Sequence, residues 1–96
     1  MIIDVHPEAL LELQEAAKYY ESKSTNLGVE FLDEFEACTR RIKESPTRFA
    51  LVNAKTRCCS MFRFPFGIYY RLSENHARII LIRHRSRDPK YGMDRT

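Results

Sequence analysis

The chain has 96 residues, 44% of them hydrophobic and 30% charged. That suffices for one domain, residues 1–96, whose core needs neither metal nor disulfide. No apolar run reaches the ~20 residues of a membrane span, and no basic-then-apolar leader opens the chain. Net charge is +3 but unevenly placed: residues 1–53 hold six Lys/Arg and ten Asp/Glu, net −4, and residues 54–96 hold ten and three, net +7. A basic half on a small cytoplasmic domain suits contact with nucleic acid or with an acidic protein. The plainer account is solvated arginines on a strand-rich surface.

Met1 to His6 is short and β-branched and reads as a strand. Pro7 ends it and opens a helix at its first position. Ala9, Leu10, Leu13, Ala16, Ala17 and Tyr20 then recur at three- and four-residue steps. Leu11 and Tyr19 fall off that stripe. Residues 22–26 form a polar turn, with Asn26 as the expected cap of the next helix. Leu27, Phe31, Phe35, Cys38 and Ile42 mark that second amphipathic helix. It is acidic early (Glu30, Asp33, Glu34, Glu36) and basic late (Arg40, Arg41, Lys43), which matches the helix dipole. Pro46 pushes Ser45 out of the helical region and stops it. So short a linker predicts an antiparallel helical hairpin, and its apolar stripe needs a sheet to cover.

Residues 48–53 read as a short irregular strand. Thr56 to Phe64 alternates, with Cys58, Ser60, Phe62 and Phe64 on one side and Cys59, Met61 and Arg63 on the other. Phe62, Phe64 and Ile68 are expected in the core. Gly67 to Leu72 is the next strand, placing Tyr69 and Tyr70 on opposite faces, one packed and one partly exposed. Residues 73–76 form a hairpin loop with a solvated His76. Ala77 to His84 contains Ile79-Ile80-Leu81-Ile82, apolar on both faces and therefore central. The tail from Arg85 is polar. The sum is an α+β domain: an N-terminal strand and an antiparallel helical hairpin packed on one face of a small twisted antiparallel sheet.

The three cysteines are an odd count, and Cys58 and Cys59 are neighbours. Neighbours on a strand point to opposite faces, so neither a bond between them nor shared metal ligation is expected. All three read as reduced, small apolar residues. No glycine-rich phosphate loop, metal-ligand spacing or Gly-x-Ser-x-Gly nucleophile is present, so no cofactor or metal is expected. His6 reads as structural. His84 ends the central strand and precedes Arg85, Arg87 and Tyr91, and strand ends beside loops display functional residues.

Three runs follow in order in the last third: Arg63-Phe64-Pro65-Phe66-Gly67-Ile68-Tyr69-Tyr70-Arg71-Leu72, the apolar strand ending in His84, and Arg87-Asp88-Pro89. Together they resemble the RelE/ParE superfamily, the toxin halves of bacterial type II toxin–antitoxin (plasmid stabilisation) modules. The resemblance implies a twisted sheet with two N-terminal helices, in agreement with the periodicity. It leaves two targets open. RelE-type members cut messenger RNA on the ribosome. Such cleavage needs an acid and a base, and cations on the phosphate. His84 or Tyr91 would serve as acid or base, and Arg85, Arg87 and Arg63 as phosphate clamps. RelE-type members, however, usually carry an arginine early on the strand that here begins Gly67-Ile68. The strand before it is lysine-rich in them and holds only Lys55 and Arg57 here.

ParE-like members bind DNA gyrase and trap its cleaved-DNA complex without chemistry of their own, and the Arg-Phe-Pro-Phe run is closer to these. Arg83, Arg85, Arg87 and Lys90 would then meet the target. A third reading is a small nucleic-acid-binding adaptor. Residues 87–89 also have a structural reading: Asp88 pairs with Arg87 or Arg85, or caps the turn before Pro89. The resemblance further implies a cognate antitoxin whose disordered segment folds onto the toxin. Its expected surface is Leu11, Tyr19, Val29 and Leu32, with Arg63 and Tyr69.

Overall fold

A computed structural model describes residues 1–96. The elements are β1 (Ile2–Val5), α1 (Pro7–Lys23), α2 (Leu27–Glu44), β2 (Arg57–Ser60), β3 (Phe66–Ser73) and β4 (His76–His84). Pro7 stands in the first turn of α1, and His6 caps it structurally, its Nδ1 accepting from the Glu8 N–H at 3.0 Å. The cap of α2 departs from expectation. Asn26 takes a left-handed backbone, φ 69°, and its side chain caps nothing. Glu21 reaches forward instead, accepting from the N–H of Asn26 at 2.9 Å and of Gly28 at 3.0 Å. Two orphan donors of the helix start are thereby satisfied from the preceding helix. Gly28 lets the hairpin close, since a Cβ there would lie 2.5 Å from the Ala17 carbonyl oxygen.

The strand order is β1-β4-β3-β2, so the apolar β4 is interior as expected. β2, β3 and β4 form an antiparallel meander, turned between β3 and β4 by Asn75 at φ 53°. β1 joins β4 in parallel, from Ile2↔His76 to Val5↔Ile79. The sheet is therefore mixed. A strand separated from its partner by two helices and two strands is not tied to it by a hairpin, and crossover connections permit the parallel ladder. Both helices cover one face. Ala9, Leu13 and Ala16 of α1 and Phe31, Cys38 and Ile42 of α2 meet Cys59, Ile68, Tyr70 and Ile79 of the sheet. Leu10, expected on the buried stripe, is exposed.

The alternation expected from Thr56 to Phe64 holds through Phe62, on the side opposite Cys59 and Met61, and breaks before Phe64. Cys59 and Met61 face the core, while Phe62 is 82% exposed. The cause is Glu34 on α2, whose carboxylate takes the backbone N–H groups of both Phe62 and Arg63. The bend resets the pattern, so Phe64 returns to the core. Residues 48–53 form no strand beyond one isolated bridge, Leu51↔Arg57. That loop is held by Arg57, which donates to the carbonyls of Thr47 at 3.0 Å and Phe49 at 2.8 Å. The Tyr70 hydroxyl adds a bond to the Pro46 carbonyl at 2.7 Å.

The tail is not merely polar. It packs on the second face of the sheet, where Tyr91 and Met93 cover Tyr69, Ile80 and Leu81. Arg71 donates to the carbonyls of Met93, at 2.6 Å, and Arg95, and Arg78 to that of Thr96 at 3.0 Å. Both tyrosines are therefore buried, on opposite faces. Arg95 then crosses the edge of β4. Its guanidinium, 8% exposed, meets both oxygens of Glu12 at 2.9 Å and the Ile80 carbonyl at 3.1 Å. The hydrogen bond to Glu12 holds its pKa above the ordinary value. Glu12 also accepts from the Ile82 N–H at 3.1 Å. β1 pairs with β4 only as far as Ile79, so this ion pair satisfies the edge that β1 leaves open. At the other end His76 is not a loop residue. Its ring hydrogen-bonds Asp4, which Arg78 also contacts. Burial pushes the Asp4 carboxyl up, but these bonds win and hold it below its usual range.

Two outcomes follow from this packing. Arg95→Ala strands a buried carboxylate, and denaturant titration should show a loss of about 3 kcal/mol. Burial pushes Tyr70 up to about 12. A neutral phenol is thus favoured in the folded chain, and its share of stability is full below the unfolded value near 10. Unfolding free energy should fall as pH rises from about 10 to about 12, and Tyr70→Phe should reduce that slope and cost about 1 kcal/mol at neutral pH.

Candidate functional site

The end of the β3–β4 ladder places the basic run. Phe66 pairs with His84 and Gly67 with Arg83, and the Arg85 N–H continues the ladder by donating to the Pro65 carbonyl at 2.7 Å. The His84 ring stands edge-on to Phe66, centroids 5.2 Å apart. Its Nδ1 accepts from the Ser86 N–H at 3.0 Å, which leaves the proton of the neutral ring on Nε2. Two depressions meet at Ala16, Phe66 and His84. One, about 270 Å³, is walled by Glu12, Glu15, Arg83, Arg87 and Tyr91. The other, about 380 Å³, is walled by Tyr19 and Tyr20.

The arginines there have different duties. Arg83 donates to the Tyr69 hydroxyl at 2.8 Å and to the Pro89 carbonyl at 2.7 Å, so it fastens the tail. Its cation also lies 4.5 Å from the Tyr69 ring. Arg87 lies 3.9 Å from the centre of the Tyr91 ring and Arg95 5.2 Å, so this ring meets two cations. Arg85, Arg87 and Lys90 are exposed and make no ion pair. Asp88 pairs with neither Arg85 nor Arg87. It caps the turn, accepting from the Lys90 N–H at 2.9 Å.

The expected ribonuclease set is only partly gathered. His84, Arg87 and Tyr91 line one depression, but Glu12 and Glu15 line it too, and carboxylates oppose a phosphate. Arg63 lies elsewhere, paired with Glu30 at 2.8 Å. It borders a third depression of about 440 Å³, with Asp33, Glu34, Ala37, Arg41 and Phe62. The expected antitoxin residues also separate. Leu11, Tyr19, Val29 and Leu32 are exposed on the helices, with Tyr19 bordering the His84 depression. Tyr69 is 8% exposed beneath the tail, because β3 has a covered second face. Sequence reasoning missed Phe62, whose exposed ring lies 4.4 Å from the Arg41 cation. It also missed Glu12, which joins this site to the fold. Neither has a local signal, since both depend on residues distant in the chain.

The sequence matches a family model described as the ParE toxin of the type II toxin–antitoxin system parDE, over residues 3–89. The chain belongs to the ParE toxin family. It is thus a ParE-type toxin of a type II toxin–antitoxin system, and that membership implies an antitoxin partner. A solved structure, the chromosomal ParDE toxin–antitoxin system from P. aeruginosa, has a chain with the same fold at TM-score 0.76 and 14% identity. The match covers 88% of this chain and 95% of that one. No curated protein sequence matches significantly. No helix is long and apolar enough to cross a membrane. The ParE family match ends at residue 89, so it includes Glu12 but not Tyr91 or its partner Arg95. Within it, the bend at Glu34 separates two phenylalanines by role. Phe64→Ala should cost about 3–5 kcal/mol and Phe62→Ala about 0.5 kcal/mol or less, both measured by chemical denaturation.

Proposed function

We propose that this ParE-type toxin arrests growth in the bacterial cytoplasm by binding DNA gyrase and holding its cleaved-DNA complex, without chemistry of its own. The observation that carries this reading is the display of Arg85, Arg87 and Lys90. They are exposed, unpaired with acids and borne on a tail anchored to the sheet by Arg71, Arg83 and Arg95. Unpaired cations on a fixed support suit docking on an enzyme–DNA complex. The grouping of His84, Arg87 and Tyr91 favours the second reading, a ribosome-dependent endoribonuclease. The carboxylates beside them and the removal of Arg63 count against it.

Purified toxin added to gyrase and plasmid should accumulate linear DNA while leaving ribosome-bound messenger RNA intact. Combined Arg85→Ala, Arg87→Ala and Lys90→Ala should abolish the linear product with the fold retained. Codon-phased RNA cuts that disappear in His84→Ala would overturn the gyrase reading. A chain that does not arrest growth when expressed alone would favour a nucleic-acid-binding adaptor instead.

The cognate antitoxin is proposed to cover the exposed apolar residues Leu11, Tyr19, Val29 and Leu32. Tyr19→Glu and Leu32→Glu should each weaken that complex about tenfold or more, read by calorimetry. Unchanged affinity in both would move the docking surface off the helical hairpin.

A further inference from the structure

The open edge of β4 continues past the Glu12–Arg95 ion pair. Ile80 has no counterpart on β3, where Tyr69 pairs with Leu81 and Tyr70 with Ile79. Such a bulge switches which residues of the strand bond to their neighbour. Beyond it Arg83 pairs with Gly67 and the Arg85 N–H reaches the Pro65 carbonyl, so Ile82 and His84 turn their backbone groups away from β3. Glu12 takes the Ile82 N–H. The Ile82 carbonyl and the His84 N–H find no partner. Ile82 is 2% exposed, and a buried carbonyl left unpaired costs about as much as a lost hydrogen bond. Both residues line the depression of about 270 Å³. Helix α1 walls it from one face of the sheet with Glu15 and Ala16, and the tail walls it from the other with Arg87 over Tyr91.

We propose that this cleft binds the base of an adenine nucleotide. A carbonyl and an N–H two residues apart on one strand edge set an acceptor beside a donor. The pairing edge of adenine is the complement. Its amino group donates to the Ile82 carbonyl, and its ring nitrogen N1 accepts from the His84 N–H. Proteins read unpaired bases in this way, by hydrogen bonds to that edge and between apolar, aromatic or guanidinium surfaces. Here Ala16 flanks the ring on one side, and Arg87 with Tyr91 on the other. Glu15 makes no ion pair. Its carboxylate repels a phosphate or a carbonyl oxygen and accepts from an amino group, so the base enters and its phosphate stays outside. Arg85 and Lys90, exposed on the tail beyond the depression, are the cations that meet that phosphate. A peptide strand fits less well. One carbonyl and one N–H make too short a ladder, because the Arg87 N–H returns to the His84 carbonyl and β4 ends there.

The site stands apart from the gyrase reading, since its test holds only toxin and nucleotide. Adenosine monophosphate titrated into the isotope-labelled chain should move the His84 amide resonance and saturate. Shifts at Arg85, Arg87 and Lys90 with the His84 amide unmoved would mean phosphate on cations alone and overturn the proposal. So would guanosine monophosphate or ribose phosphate bound as tightly, or no saturation up to about 10 mM. His84→Pro and His84→Ala both remove the ring, but only proline removes the N–H. No strand bond is lost at that edge position, and Arg83 before it is already extended. His84→Pro should weaken binding about tenfold or more, while His84→Ala should bind much as the natural chain does. Equal affinity in the two variants would overturn the proposal. Should His84→Pro not fold, the amide shift in the natural chain decides. A single-stranded oligodeoxyadenylate separates the sources of the base. Tighter binding than the mononucleotide, weakening with salt, identifies a nucleic-acid strand, and equal binding identifies a free nucleotide. A His84 amide that moves with the cognate antitoxin and not with adenosine monophosphate would make this edge a peptide site and overturn the proposal.

Discussion

One ion pair, Glu12 with Arg95, joins the three layers of this molecule. Glu12 belongs to α1 and Arg95 to the second-to-last residue of the chain, yet they meet at the edge of β4 with both carboxylate oxygens engaged. They meet there because β1 is short. It covers β4 only to Ile79, and the ladder beyond would otherwise present unpaired backbone groups. Glu12 takes the Ile82 N–H and Arg95 supplies the Ile80 carbonyl, so side chains do the work of a missing strand. A buried ion pair is weak evidence for net stability, because desolvation offsets attraction. Here each partner also satisfies a backbone group, and loss of either leaves a charge and a peptide unpaired together.

The same contact explains how a polar tail is held in place. A charged segment without a core of its own would be expected to fray. This one buries Tyr91 and Met93 against Ile80 and Leu81 and hangs on three arginines whose donors reach main-chain carbonyls. The arginines near the chain's end thus divide into two groups. Arg71, Arg78, Arg83 and Arg95 are internal fasteners. Arg85, Arg87 and Lys90 are exposed without an ion pair, Arg87 lying over the Tyr91 ring. The net +7 of residues 54–96 therefore overstates the charge available at the surface.

Opposite that end, Glu34 organises a second irregularity. By binding two consecutive backbone N–H groups it turns the chain after β2, presents Phe62 to solvent and returns Phe64 to the core. Cys59, on β2 before the turn, is already its one buried residue. An acidic residue that reads as part of a dipole-matched helix face is thus a brace between helix and loop.

Much of the fold was legible because its signals are local. Pro7, the helical stripes, the Ser45-Pro46 stop, Asn75 in its turn and the apolar β4 each depend on residues within a few positions of one another. The Arg-Phe-Pro-Phe run, the terminal His84 and Arg87-Asp88-Pro89 were equally visible, and they carried the family. What the tertiary structure alone decided is of another kind. The parallel pairing of β1, the reach of Glu21, the exposure of Phe62, the burial of Tyr69 and the pairing of Glu12 with Arg95 all join segments that no periodicity relates. Whether an arginine fastens or faces solvent depends on which carbonyls arrive beside it, and the folded backbone sets that. By itself, the sequence determined the elements, their order and the chemistry on offer. Packing decided which of that chemistry stayed free.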